Sequence, residues 1–168
     1  MEPRLKLSKK STSPAIDATE YRGLIGSLRY LMNTRPDMAF AVGYLSRFME
    51  DPRQEHMAAM KHLLRYVAGT IDYGLAYTSN AELNLVGYSD SDMAGDVDDR
   101  KSTSGILYFL DGNPVAWQSQ KQRVVALSSC EAEYIAEAAA ACQGVWLRRL
   151  LQDVVGAGVA PPQLKMDN

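Results

Sequence analysis

Asn84-Leu85-Val86-Gly87-Tyr88-Ser89-Asp90-Ser91-Asp92 is the stretch on which the fold turns. Its apolar body reads as a strand from Asn84 to Ser89, and Asp90 stands at the strand's end, where a sheet holds a side chain rigidly. Working outward, short runs typical of strands recur at Gly74 to Thr78, Gly105 to Leu110 and Val115 to Ser119. Asp111-Gly112-Asn113, between the last two, is a hairpin signal because Asp-Gly tolerates the positive φ of a tight turn. Ser128-x-x-Glu131 then forms a capping box before an Ala-rich stretch, which predicts one long helix from about Ser129 to Val155. Gly156 to Pro162 breaks that helix, and Leu164-Lys165-Met166-Asp167 reads as the start of another strand. Three antiparallel strands, a helix and the start of a parallel strand make a mixed-sheet α/β arrangement.

Upstream the periodicity is helical. Met1 to Ile16 is basic, Ser/Thr-rich and broken by Pro3 and Pro14, the pattern of an extended lead-in. Asp17-x-x-Glu20 is a helix start, and Tyr21, Leu24, Ile25, Leu28 and Leu31 carry a helix to about Thr34. Pro36 opens a second helix with Met38, Val42, Leu45 and Phe48 on one side, stopping before Asp51-Pro52. A third begins near Arg53, turns Met57, Met60, Leu63, Leu64 and Val67 inward, and ends at Gly69. The organisation expected is therefore a lead-in over 1–16, a three-helix unit over 17–78 and a sheet-bearing α+β domain over 79–168.

Composition narrows the function classes. With 168 residues, 46% of them hydrophobic, and 18 basic against 20 acidic side chains, the chain has the make-up of a soluble globular protein. A neutral total gives no global field for nucleic acid, so any such site must be a local patch. The N-terminal stretch has no apolar run of a secretory signal, and no segment reaches the ~20 apolar residues of a membrane span. An intracellular protein of cytoplasm or nucleus, with no membrane partner, is expected. Cys130 and Cys142 lie too far apart along one helix for a disulfide and read as reduced, structural residues. His56 and His62, six apart, do not share a helical face as metal ligands would.

Carboxylates carry the candidate chemistry. Asp90, Asp92, Asp96, Asp98 and Asp99 follow the first strand, and as a group they read as a solvated turn. Asp90 is set apart by its place at the strand's end. Glu131, Glu133 and Glu137 sit near the start of the long helix, where the dipole favours carboxylates whatever they do. Glu131 belongs to the capping box, and Glu133 is the better placed to point over the sheet. Asp167 closes the last apolar run. Strand-end, helix and strand-end carboxylates can converge on hard divalent cations, since Mg²⁺ takes oxygen ligands; they can equally stay apart as surface charges.

Several blocks together carry a resemblance: Tyr21-Arg22-Gly23-Leu24-Ile25-Gly26-Ser27-Leu28-Arg29-Tyr30-Leu31, Thr34-Arg35-Pro36-Asp37, Leu63-Leu64-Arg65-Tyr66-Val67-Ala68-Gly69-Thr70, Gly87-Tyr88-Ser89-Asp90-Ser91-Asp92, Arg100-Lys101-Ser102-Thr103-Ser104-Gly105 and Ala126-Leu127-Ser128-Ser129-Cys130-Glu131-Ala132-Glu133-Tyr134. In this order they resemble copia-type (Pseudoviridae) retrotransposon polyproteins. The resemblance implies the thumb and connection region of a reverse transcriptase up to residue 78, followed by a C-terminally truncated RNase H domain. It makes Asp90, Glu133 and Asp167 similar to the family's metal-binding catalytic carboxylates, with two Mg²⁺ ions, or Mn²⁺ as a substitute, and an RNA–DNA hybrid as substrate. Arg100, Lys101, Ser102 and Thr103 resemble a family block that would meet phosphates; the other reading is a hairpin edge guarded by charge. Lys121, Gln122 and Arg123 have the same two readings.

The chain departs from the family at Met93, where the family usually has Trp. The polymerase's paired-aspartate motif and the fourth metal-binding carboxylate are not found, so polymerase chemistry is not expected and the isolated chain is expected to be marginally stable with little or no nuclease activity. The remainder of a reverse transcriptase polyprotein is a possible partner. A non-catalytic nucleic-acid-binding remnant and a domesticated or secreted RxLR-type effector are the competing readings, the second without an Arg-x-Leu-Arg tetrapeptide in the sequence.

Overall fold

The structure, a computed structural model, describes residues 5–79, 83–156 and 158–166. It divides into two compact units, one of residues up to Leu75 together with Asp96–Asp99, the other of Ala76–Gly95 and Arg100 onward. Helices α1 (Ala18–Leu31), α2 (Ala39–Leu45) and α3 (Gln54–Gly69) build the first; strands β1 (Leu85–Ser91), β2 (Thr103–Leu110), β3 (Asn113–Lys121) and β4 (Gln163–Met166), with helix α4 (Ser129–Val155), build the second.

In the first unit Asp17 caps α1 by accepting the Thr19 N–H at 2.7 Å. The helix stops at Leu31, short of Thr34, ahead of Pro36, which keeps Arg35 out of the helical region (φ −133°, ψ 74°). The second helix is split, with 3₁₀ turns at Pro36–Met38 and Ser46–Phe48 on either side of α2. Tyr21, Ile25, Leu28, Val42, Leu45, Phe48, Met60 and Leu63 form the core, at the periodic positions the sequence marks. The described part of the lead-in, residues 5–16, forms no helix or strand beyond a single bridge from Ala15 to Arg53, but it is not detached. Leu7 is buried in that core and exchanges hydrogen bonds with the Tyr44 hydroxyl, while Gln54 donates to the Pro14 carbonyl at 2.9 Å.

Two of the blocks that carried the resemblance meet as a cross-link. The buried Arg35 guanidinium donates in bidentate fashion to Asp37 (3.0 and 2.8 Å), to the Thr70 carbonyl (3.0 Å) and to the Thr70 hydroxyl (2.8 Å). The Tyr66 hydroxyl completes the set on Asp37 at 2.8 Å. The end of α3 is thereby tied to the turn before α2. The Arg35 hydrogen bond holds the Asp37 carboxyl below its ordinary range.

In the second unit the order is β3-β2-β1-β4, antiparallel except for β4, which runs parallel to β1 after the α4 crossover. Asp111 and Gly112 take φ of 51° and 81°, the mirror-image turn expected of Asp-Gly. The run Gly74 to Thr78 is not a strand. Among the described residues no strand pairs with it; instead the Asn113 carboxamide accepts the Thr78 N–H (2.8 Å) and donates to its carbonyl (2.9 Å). Ser128 Oγ caps α4 on the Glu131 N–H, and Gly156 ends it in the left-handed region.

Helix α4 packs over β1 and β2. A Cβ on Gly87 would lie 2.4 Å from the Tyr108 ring and one on Gly144 2.4 Å from the Tyr108 hydroxyl, so both positions need glycine. That hydroxyl donates to the Ala140 carbonyl at 2.8 Å. Leu85, Ile106, Tyr108, Ala140 and Leu147 form the apolar core beneath the helix.

Candidate functional site

At one end of the second unit the sheet's inward face turns polar. β1 alternates regularly: Leu85, Gly87 and Ser89 face α4, while Tyr88 and Asp90 are exposed on the other side. The strand extends to Ser91, so Asp90 lies within the ladder, opposite Gly105, rather than just past its end. Its carboxylate accepts the Ser91 N–H at 2.8 Å. Glu133 comes from the other side. It lies seven residues before Ala140 on the α4 sequence, on the face that meets the sheet, and it is half-buried.

Asp90 and Glu133 thus start from opposite faces and can share an ion only around the sheet's end, where β1 gives way to the acidic turn. The third expected carboxylate, Asp167, lies outside the described residues. Its predecessor Met166 pairs with Ser89 in the parallel ladder. Among the described residues no group of three or more His, Cys, Asp and Glu is arranged to hold a metal. The donors present are carboxylate oxygens, with no imidazole or thiol among them, and that chemistry suits Mg²⁺ or Mn²⁺ rather than softer metals.

The acidic turn is solvated only in part: Asp90, Asp92 and Asp99 are exposed, Asp98 is half-buried and Asp96 is buried. Asp92 accepts the Thr103 N–H at 2.8 Å. Asp96 is buried, pairs with Arg47 at 3.1 Å and accepts the N–H of Asp98 and Asp99. Asp98 accepts the Lys9 N–H (2.7 Å) and the Ser8 hydroxyl (2.5 Å). Partial desolvation works to raise the Asp98 carboxyl, but these hydrogen bonds outweigh it and hold the group below its ordinary range. Backbone N–H groups in a tight turn need acceptors, and short carboxylates supply them.

The basic block divides. Arg100 is exposed and sits at φ 60°, a strained conformation for a residue with a Cβ; Lys101 is half-buried. Ser102 and Thr103 are buried: the Ser102 hydroxyl accepts the Ala94 N–H at 3.0 Å, so a phosphate would reach these side chains only if the turn opened. Gln122 is likewise buried, between the half-buried Lys121 and the exposed Arg123. Its Nε2 group lies within hydrogen-bond distance of three acceptors, Ser91 Oγ (3.2 Å), Ser104 Oγ (3.0 Å) and the Ala132 carbonyl (2.9 Å), which share its two N–H hydrogens. Its flanking charges disguise it in the sequence. The signal that could have found it is Ser91 and Ser104, on strands otherwise patterned for burial, since inward hydroxyls call for a polar partner.

Cys130 and Cys142 are free, as expected, but exposed, so neither is part of the core; the buried side of α4 is Ala132, Ala136, Ala140, Gly144 and Leu147. His56 is fully buried, stacked on Phe48 with ring centroids 4.0 Å apart. No described helix is long and apolar enough to cross a membrane.

Comparison with known proteins gives consistent relatives. The chain is 44% identical over 168 residues, all of its length, to the retrovirus-related Pol polyprotein from transposon RE1 of Arabidopsis thaliana, of which it covers 12%. It is 45% identical over 157 residues, 89% of its length, to that from transposon TNT 1-94 of Nicotiana tabacum, again covering 12%. It is 52% identical over 128 residues, 76% of its length, to secreted RxLR effector protein 161 of Plasmopara viticola, covering 90% of that protein. No family model and no solved structure matches the chain. With near-full-length identity to the polyproteins, and a helical unit followed by a mixed sheet consistent with an RNase H-like fragment, the chain belongs to the retrovirus-related Pol polyproteins of copia-type transposons, spanning about an eighth of their length.

Proposed function

We propose that the second unit is an RNase H-type module that acts on the RNA strand of an RNA–DNA hybrid, with Asp90, Glu133 and Asp167 as its metal-holding carboxylates. The observation that carries this reading is the arrangement of their supports: Asp90 within β1, Glu133 on α4, and β4 running parallel to β1 up to Met166, next to Asp167 in the chain. Two Mg²⁺ ions, or Mn²⁺, would activate the attacking water and stabilise the leaving oxygen. The chain's own part is placement. The β1 ladder fixes the backbone of Asp90, and α4, packed over β1 and β2, carries Glu133. Arg100 and Lys101 would meet the phosphate backbone without reading sequence.

Mn²⁺ titration followed by electron paramagnetic resonance tests the reading directly. Binding is expected in the parent chain and at least tenfold weaker in Asp90→Asn and Glu133→Gln, and any Mg²⁺-dependent cleavage of a labelled hybrid should vanish in both. Equal Mn²⁺ affinity in the parent and Asp90→Asn would falsify it. Hybrid binding that persists in chelator, with no cleavage on adding Mg²⁺, would favour a non-catalytic binding module instead. A second reading, a secreted effector, draws on the identity to RxLR effector protein 161; strict retention of a tagged copy in its native cell would count against it.

A further inference from the structure

We infer that Gln122 is a positioning residue whose carboxamide sets the spacing between the strand that bears Asp90 and the helix that bears Glu133. The inference rests on the metal-site reading above and concerns how that site is held. One buried Nε2 group reaches three elements: Ser91, next to Asp90 on β1; Ser104 on β2; and Ala132, next to Glu133 on α4. The backbone anchors it as well, since the Gln122 N–H donates to the Ser102 carbonyl at 2.8 Å.

The orientation of the amide is not ambiguous. A backbone carbonyl can only accept, so the Ala132 oxygen must face Nε2 and not Oε1. The consequence is an unfavourable one for Oε1, which is buried with no hydrogen-bond partner among the described residues. An apolar side chain of the same volume would avoid that penalty and pack against Ala132 equally well. What it could not supply is direction. Apolar packing tolerates sliding of a helix over a sheet, whereas donor–acceptor geometry fixes distance and angle together. The two carboxylates come from opposite sides of the sheet, so any slide of the α4 start relative to the β1 end changes their separation. A metal with strict octahedral demands registers such a change.

The test uses the full chain and Mn²⁺ as the probe, read by electron paramagnetic resonance well below each variant's melting temperature, with melting followed by circular dichroism. Gln122→Met keeps the shape and removes the donors; it is expected to stay folded and to bind Mn²⁺ at least tenfold more weakly. Ser91→Ala removes one tie and should weaken binding by less, and it stands in if Gln122→Met does not fold. Tyr108→Phe, which loses a buried hydrogen bond in the same unit away from the carboxylates, is the control: lower melting temperature, unchanged Mn²⁺ affinity. The inference is overturned if folded Gln122→Met binds Mn²⁺ within threefold of the parent, or if Tyr108→Phe weakens binding as much as Gln122→Met does. If Asp90→Asn also binds as the parent does, the metal-site reading falls and takes the inference with it; if Asp90→Asn alone loses the ion, only the positioning role falls.

Discussion

His56 shows how a titratable side chain can serve packing alone. Its Nδ1 accepts the Arg53 N–H at 2.9 Å, closing the start of α3, which leaves the proton on Nε2, 3.2 Å from the Ser8 carbonyl. Burial against Phe48 pushes its pKa below the ordinary 6.5, the Ser8 contact opposing only in part. The unfolded chain therefore takes up the proton first as pH falls. Stability is complete above about pH 6.5 and declines as pH drops towards the lower folded value. The melting temperature of the first unit should be flat above about pH 7 and fall by about pH 5.5, and the fall should be smaller in His56→Gln; an identical pH profile in that variant would refute the assignment.

At the scale of elements, the contact between α4 and the sheet depends on the absence of side chains. Gly87 and Gly144 let the Tyr108 ring lie between strand and helix, with its hydroxyl on Ala140. Gly144→Ala pushes a methyl into that hydroxyl and should destabilise the second unit by about 1–3 kcal/mol, the usual penalty for overpacking. Because the clash is with one oxygen, the penalty should shrink by about half or more when Gly144→Ala is made in a Tyr108→Phe background. Chemical denaturation of the four members of that cycle measures the coupling. Equal penalties in both backgrounds would show that the helix backbone, not the hydroxyl, sets the distance. The Arg35–Asp37–Thr70 link works differently, as a polar clasp on the end of α3, with Tyr66 bound to the same carboxylate.

For the whole molecule, two separate hydrophobic clusters mean two separate sources of cooperativity. Met60→Ala empties part of the first core, at a cost of about 2–5 kcal/mol, and Leu85→Ala does the same in the second. Since Met60 and Leu85 belong to different clusters, the two should act additively to within about 0.5 kcal/mol in the double variant. A larger departure in global denaturation would mean that the units share a folding transition.

Much of this was legible from residues. The Asp17 and Ser128 caps, the Asp111-Gly112 turn, the periodic core of the first unit and the strand bearing Asp90 are local features, decided by hydrogen bonds and side chains within a few positions of one another. The same local reasoning set the lead-in apart as merely extended and took the acidic turn for solvated. What that reasoning missed has one cause: Leu7 and Asp96 are buried by residues far away in the chain, Tyr44 and Arg47, and no window of sequence contains both partners. Gly74 to Thr78 has the pattern of a strand, but a strand exists only where a neighbour pairs with it. Sequence by itself determined the family, the elements and their order, and which carboxylates to examine. Only tertiary structure decided that Ser102, Thr103 and Gln122 turn inward while Arg100 stays out, and that Asp90 and Glu133 belong to opposite faces of the sheet, because burial and direction depend on what folds over a residue and not on the residue's own preferences.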